Sequence, residues 1–404
     1  MVAPLEGIRV VEVANWLAAP SAAALMADLG ADVVKVEHPG GDSWRRPLMY
    51  SQKSDFDPET DVDAPFELDN RGKRGIALAL DRPGATEVIH QMVEQADIFI
   101  TNLTAPRIER YDLSFERLQT INPKLIYVVL TGYGTRGPDQ AKTGFDYSAF
   151  WSRSGIMSLI GEPDGPPIPC RPGQGDHATS LNLLSGTLAA LRLRDLTGEG
   201  QRVEVTLQRT GVWTIGADVS AVLITESQPG RINRVTPSNP LFNSYETADG
   251  RWLMLVMPTG DRHWGPLCRA LGRGDWLGDE RYATLAGRAE HSAELTANMA
   301  EVISRRSLAD WTPRFNAESL TWAPVAELPE VISDPQMDEM NAWADISGPQ
   351  GSFRTLNTPF DIRDADIGPR GPAPRTGEHT HDVLRELGLS DEEIASLAAE
   401  GALG

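Results

Sequence analysis

Cysteine is nearly missing. The 404 residues hold two, Cys170 and Cys268, too few for a disulfide framework or a multi-cysteine zinc site. A cationic excess is missing too. Lys and Arg number 37 against 57 Asp and Glu, a net charge of −20, which excludes a basic nucleic-acid binder and makes anionic membrane surfaces poor partners. No long apolar run occurs. The longest uncharged apolar stretch, Trp16 to Met26, falls short of the ~20 residues that span a bilayer. The opening residues lack a basic start followed by an apolar core, so no secretory signal is read and a reducing cytoplasm is the expected location. The histidines His38, His90, His177, His263, His291, His379 and His381 form no pair three or four apart, so no metal is expected. A G-x-S-x-G serine elbow does not occur.

What is present is a globular balance, 41% apolar and 23% charged, in a chain too long for one ordinary core. Short β-branched runs alternate with helical stretches. Ile8–Val13, Val33–Glu37, Gly75–Leu80, Ile98–Ile100, Leu125–Leu130 and Val203–Leu207 read as strands. Ala22–Leu29, Gly84–Gln95 and Leu113–Thr120 read as helices between them. That repetition predicts an α/β fold with a parallel sheet, and a ligand site beyond the carboxyl ends of its strands. Leu181, Leu184, Leu188 and Leu191 place one face of a helix over Ser180–Arg194. Residues 226–240 are polar, with Gly and Pro, and read as a linker. Residues 241–330 read as a smaller α+β domain, with a hairpin over Asn243–Val256 turning at Asp249-Gly250 and helices near 290–317. Residues 345–375 are Gly- and Pro-rich. In the tail, Ser390 and Glu393 have capping-box spacing.

Gly132-Tyr133-Gly134-Thr135-Arg136-Gly137 matches G-x-G-x-x-G after a strand. A dinucleotide fingerprint must also open an apolar helix, and Pro138-Asp139-Gln140 follows instead, so no NAD is expected. Three cation groups, Arg45-Arg46, Arg71-x-Lys73-Arg74 and Arg107 with Arg110, read either as solvated surface or as loops that hold an anionic ligand. Gly173-Gln174-Gly175-Asp176-His177 precedes the Ser180 helix. Asp176 is either its N-cap or a nucleophile that glycines on both sides leave open to a large substrate.

The segment Gly30-Ala31-Asp32-Val33-Val34-Lys35-Val36-Glu37 resembles the family III CoA-transferases. So do Asn70–Arg74, Asn102–Arg110, Gly175-Asp176, Thr197–Val205, Asn243–Gly250 and Gly377–Thr380, in order along essentially the whole chain. The resemblance implies a large Rossmann-like domain formed by both chain ends, residues 1–225 with the linker and returning segment 331–404. A small domain is inserted, and two copies interlock as a homodimer. It implies CoA transfer from an acyl-CoA to a carboxylic acid through an aspartyl-CoA thioester on Asp176. It implies coenzyme A contacts at Trp16, Leu17, Ala18, His38, Lys73, Asn102, Leu103 and Arg110. Backbone N–H groups around Gly173 and Gly175 are expected to stabilise the oxyanions. Leu17 stands where formyl-CoA transferases have Gln, and their Gly-rich flap has no counterpart near 225–260, so formate–oxalate exchange is not expected. Two alternatives stay open: an α-methylacyl-CoA racemase or epimerase, against which Phe145 stands because it cannot carry a proton while His177 could, and a non-catalytic CoA-binding protein.

Overall fold

The computed structural model describes residues 1–45 and 61–404. Two compact units emerge. One comprises residues 1–157, 169–226 and 336–404, the other 158–168 and 227–335.

The first unit is built on six parallel strands: β1 (Arg9–Val13), β2 (Asp32–Glu37), β3 (Arg74–Ala77), β4 (Ile98–Thr101), β5 (Ile126–Thr131) and β6 (Gln201–Thr206). Their spatial order is β3-β2-β1-β4-β5-β6, the doubly wound order whose direction reverses between β1 and β4. Helices α1 (Ala18–Asp28), α2 (Ala64–Asn70), α3 (Ala85–Gln95), α4 (Ala105–Arg110) and α5 (Phe115–Ile121) connect them. Most strand residues are buried on both faces, which is why they read as unbroken apolar runs. After β5 come a wide π-type helical turn (Asp146–Ser152), a short helix α6 (Ile156–Leu159), and the long helix α7 (Gln174–Thr197). Helices α8 (Leu207–Thr214) and α9 (Gly216–Thr225) follow β6.

Helix α7 begins two turns before the Ser180 expected from leucine spacing. Its first turn contains glycine and short polar residues, and its start is fixed from elsewhere in the fold (below). The end of the chain returns to this unit. The His379 and Gly75 backbones bond to each other, and Thr380 Oγ1 accepts the Ala77 N–H at 3.0 Å. Val383, Leu384, Ile394, Leu397 and Ala402 join the core that Val88, Ile89, Phe99 and Tyr127 make on one side of the sheet. The Ser390–Glu393 capping box opens the last helix, Asp391–Ala399.

In the second unit, β7 (Phe242–Glu246) and β8 (Trp252–Val256) pair antiparallel, and β9 (Trp322–Pro324) adds a third strand. Helices α10 (Gly260–Leu271), α11 (Leu285–Glu290), α12 (Ser292–Ile303) and α13 (Leu308–Ala317) enclose an aromatic-rich core of Trp264, Trp276, Tyr282, Trp311 and Phe315. Back in the first unit, a hairpin of β10 (Trp343–Gly348) and β11 (Gly351–Leu356) occupies part of the Gly- and Pro-rich stretch. Among the described residues no helix is long and apolar enough to cross a membrane.

Candidate active site

At the β1–β4 switch point, the carboxyl ends of the strands open into a cavity of about 580 Å³. Two side-chain clamps shape its floor. Asn102 Oδ1 accepts the Asn15 N–H at 3.1 Å, and Asn102 Nδ2 donates to the Asn15 carbonyl at 2.7 Å. This reciprocal pair ties the end of β1 to the end of β4. Asp42 Oδ1 then accepts the N–H groups of both Trp16 (3.0 Å) and Trp44 (2.9 Å). Held this way, Trp16 adopts φ +67°, a left-handed backbone that costs a bulky residue about 1–3 kcal/mol. Its ring meets Phe145 edge-on, with centroids 5.5 Å apart, and lies 6.4 Å from Trp44.

A buried ion network lies under this floor. Lys35 Nζ reaches Glu12 Oε1 (3.0 Å) and Asp42 Oδ2 (2.8 Å), and Lys73 Nζ reaches Glu12 Oε2 (2.7 Å), all four side chains fully covered. Lys73 also donates to the carbonyls of Pro20 and Asp69 and to Asn70 Oδ1, and burial pulls its ammonium down to about 8. Lys73, expected to contact coenzyme A, therefore has internal partners only among the described residues. Arg71 likewise pairs with buried Asp28 at 2.6 Å, and Arg74 with Asp32 and Glu386. Arg45 forks onto Glu37; Arg46 lies outside the described residues. The Arg71-x-Lys73-Arg74 group reads as a ligand loop in sequence because its acidic partners are distant in the chain.

Trp16, Leu17, Ala18, Asn102, Leu103, Gly173 and Asp176 all line the cavity. His38 does not. It is exposed, and its Nδ1 accepts the Gly40 N–H at 3.0 Å, closing its own turn. Arg110 is exposed at the end of α4 over the Tyr111 ring. The cations that do line the cavity are Arg107, one turn earlier, and Lys142, which pairs with Asp139 at 2.6 Å. The glycine-rich loop after β5 also contributes lining, through Gly132, Gly134 and Thr135. Glu204 anchors that loop by accepting the Thr135 N–H and hydroxyl, each at 2.7 Å.

Asp176 is not the N-cap of α7. Gly173 holds that position with φ +91°, and Asp176 sits inside the first turn. The cap is supplied from 27 residues earlier: Asp146, on the wide turn, accepts the Gly173 N–H at 2.7 Å. A methyl group added at Gly175 would overlap Asp146 Oδ1 and the Phe150 ring, so only glycine lets the two segments meet this closely. The Gly173 N–H, expected to face the oxyanions, donates to Asp146 instead, and the Gly175 N–H lowers the same carboxyl. Asp146 is the residue that sequence reading missed, since nothing local marks a helix cap across such a separation.

The Asp176 carboxylate is half-buried and accepts no hydrogen bond among the described residues. Burial pushes its carboxyl up to about 7, the nearby Asp146 and Asp69 add to that, and His177 pulls the other way. Burial also raises Asp146, against the opposing pull of the Gly173 and Gly175 N–H groups. His177 Nε2 lies 3.0 Å from Asp69 Oδ1. Burial lowers the His177 imidazolium, but Asp69, Asp176 and Asp146 together raise it further, so the net shift is upward. This carboxylate thus sits in the first turn of a helix beside an apolar cavity, with no hydrogen-bond donor to it among the described residues. Among the described residues no cluster of His, Cys, Asp and Glu is arranged for a metal ion.

Comparison with known proteins gives one consistent result. The family model described as CoA-transferase family III matches residues 5–380. The (R)-2-hydroxy-4-methylpentanoate CoA-transferase of Clostridioides difficile is 32% identical, over 96% of this chain and 97% of that protein. The succinate–glutarate CoA-transferase of Agrobacterium fabrum is 33% identical, over 95% and 96%. A CAIB/BAIF family protein from Brucella suis superposes with a TM-score of 0.85 at 30% identity, over 96% of this chain and all of that one. With the fold, the cavity and the chain-long match in agreement, the protein belongs to the CoA-transferases of family III.

Proposed function

We propose that this enzyme moves CoA from an acyl-CoA to a free carboxylic acid, with Asp176 carrying first the acyl group and then CoA. The observation that carries the reading is the Asp176 carboxylate, lining the cavity with no hydrogen-bond partner among the described residues. A carboxylate oxygen of Asp176 attacks the thioester carbonyl and expels CoA thiolate, leaving an acyl-aspartyl anhydride. The thiolate then attacks the aspartyl carbonyl, releasing the donor acid and leaving an aspartyl-CoA thioester. The acceptor carboxylate attacks that thioester, expelling CoA again. The thiolate takes the acceptor's acyl carbonyl and restores the Asp176 carboxylate. No proton is consumed and each high-energy bond is exchanged for another, so no nucleotide is needed.

Trp16, Leu17, Ala18, Asn102 and Leu103 are assigned to the pantetheine and acyl side of the cavity, and Arg107, rather than Lys73, His38 or Arg110, to the charged part of CoA. The Trp16, Trp44 and Phe145 rings beside Asp176 favour an acid with a branched or aromatic body over formate. Racemisation fits less well: Phe145 is proton-inert, and His177 Nε2 is committed to Asp69. The enzyme is assigned as a homodimer. Helix α9 buries none of its residues, and Trp213, Leu223 and Ile224 are each about four-fifths exposed, an apolar surface that a second copy would cover.

The deciding experiment incubates enzyme with a panel of acyl-CoAs (acetyl, isovaleryl, cinnamoyl, succinyl), treats it with hydroxylamine, and locates the product by peptide mass spectrometry. Modification at Asp176, with loss of transfer in Asp176→Asn, supports the reading. Normal transfer by Asp176→Asn refutes it. Tight CoA binding without release of any acid identifies a binding protein instead, and light scattering that reports a monomer at micromolar concentration removes the dimer.

A further inference from the structure

Asp69 lies on α2, far from Asp176 in sequence, and is almost wholly buried. Both of its carboxylate oxygens are used. Oδ2 accepts the Trp44 indole N–H at 2.9 Å, and Oδ1 meets His177 Nε2 at 3.0 Å. Its backbone carbonyl accepts from Lys73 at 2.9 Å. One buried carboxylate therefore fixes a ring of the cavity wall and the histidine next to the proposed nucleophile. Accepting at Nε2, Asp69 selects the tautomer with a proton there, and a second proton on Nδ1 makes the ring a cation.

That charge matters because the other acidic groups nearby oppose the ionisation of Asp176. The groups acting on His177 are Asp69 from α2, Asp176 on its own helix and Asp146 from the wide turn. Helix α1, packed along α7, offers one charged residue, Asp28, which is paired with Arg71. Lys73 is engaged by Glu12. On β6, Glu204 holds Thr135, with Arg202 also bonding the Thr135 hydroxyl, and Arg209 of α8 lines a separate hollow with Asn182 and Trp213. Arg107 and Lys142 line the same cavity, Lys142 paired with Asp139; the basic side chain that pulls on Asp176 is His177. We propose that His177, anchored by Asp69, is a positioning residue that holds a positive charge beside Asp176 and so sets the pH above which Asp176 acts as a nucleophile. His177 is not among the residues that line the cavity. The inference rests on Asp176 being the nucleophile, as proposed above.

The test is the pH profile of kcat/KM from pH 5 to 9 for the wild type, His177→Gln, His177→Lys and Asp69→Asn, with whichever acyl-CoA of the panel the wild type turns over fastest. A second readout follows the titration of 13C-labelled aspartate, with the Asp176 signal identified by its loss in Asp176→Asn. An opposite charge at this range lowers a carboxylate by about 1–3 units. His177→Gln is therefore expected to move the acid limb and the Asp176 titration upward by about one pH unit, raising the ratio of kcat/KM at pH 9 to that at pH 6 about tenfold. His177→Lys restores the low limb. Asp69→Asn frees His177 but also removes a carboxylate that itself raises Asp176, so it moves the limb less than His177→Gln does. A His177→Gln profile that falls equally at all pH values, with the Asp176 titration unmoved, overturns the inference and leaves the nucleophile assignment standing. An active Asp176→Asn instead overturns the assignment. If His177→Gln fails to fold, His177→Asn is measured in its place and the same shift decides.

Discussion

Removing the proposed nucleophile should make the protein more stable, with a defined pH signature. Burial, reinforced by Asp146 and Asp69, lifts the Asp176 carboxyl from the ordinary aspartate value of 3.8 to about 7. A carboxyl with a raised folded-state pKa favours folding in its protonated form. That contribution is whole below the unfolded value, shrinks as pH rises past about 3.8, and is lost above about 7. Three units at about 1.36 kcal/mol each give a ceiling of about 4 kcal/mol, reduced by water reaching the carboxylate through the cavity. Asp176→Asn keeps the shape and has no charge to ionise. Against the wild type it should gain little at pH 4, gain steadily between pH 4 and 7, and level off above pH 7 with an advantage of roughly 2–4 kcal/mol. Urea unfolding of both proteins at each pH, followed by tryptophan fluorescence and circular dichroism together, measures the difference. A variant less stable than the wild type at pH 8, or a difference that stays flat from pH 4 to 7, would show that Asp176 is not under this burden.

Gly175→Ala drives a methyl group into Asp146 and Phe150. It should cost on the order of 2 kcal/mol or more and lose most activity by displacing the first turn of α7; thermal melts and transfer rates check both. Trp16→Gly relieves the left-handed backbone but deletes a ring from the cavity. Stability should change by less than about 1 kcal/mol, while KM for cinnamoyl-CoA rises far more than KM for acetyl-CoA. Lys35→Met leaves Glu12 and Asp42 short of a buried partner and should destabilise by about 3–5 kcal/mol, read from the urea midpoint.

The sheet was legible in the sequence because its strands are covered on both faces, and runs such as Val33-Val34 and Ile98-Phe99-Ile100 leave little choice of element. The hairpin turning at Asp249-Gly250 was legible for a local reason, the turn chemistry itself. The β10–β11 hairpin was not, since Gly348-Pro349-Gln350-Gly351 looks like any Gly- and Pro-rich connection until its strands pair. Asp176 stood out by its glycines, yet its setting did not. The Asp146 cap, the Asp69–His177 pair and the Lys73–Glu12 pair join residues 27 to 108 positions apart, and each depends on the finished fold. Lys73 shows the cost of reading charge locally: a cation beside two arginines looks like a ligand site, whereas its carboxylate sits at the far end of β1.

The returning tail has a consequence for how the molecule is made. Val383, Leu384, Ile394, Leu397 and Ala402 cover apolar surface contributed by residues in the first third of the chain. A ribosome therefore exposes α3 and the neighbouring strand faces long before their cover is translated, while residues 227–335 emerge as one uninterrupted piece able to close on its own core. The first unit must wait unfinished through synthesis of the second. Translation stalled anywhere between residues 160 and 380 would release a chain with a bare greasy flank, the natural client of a chaperone.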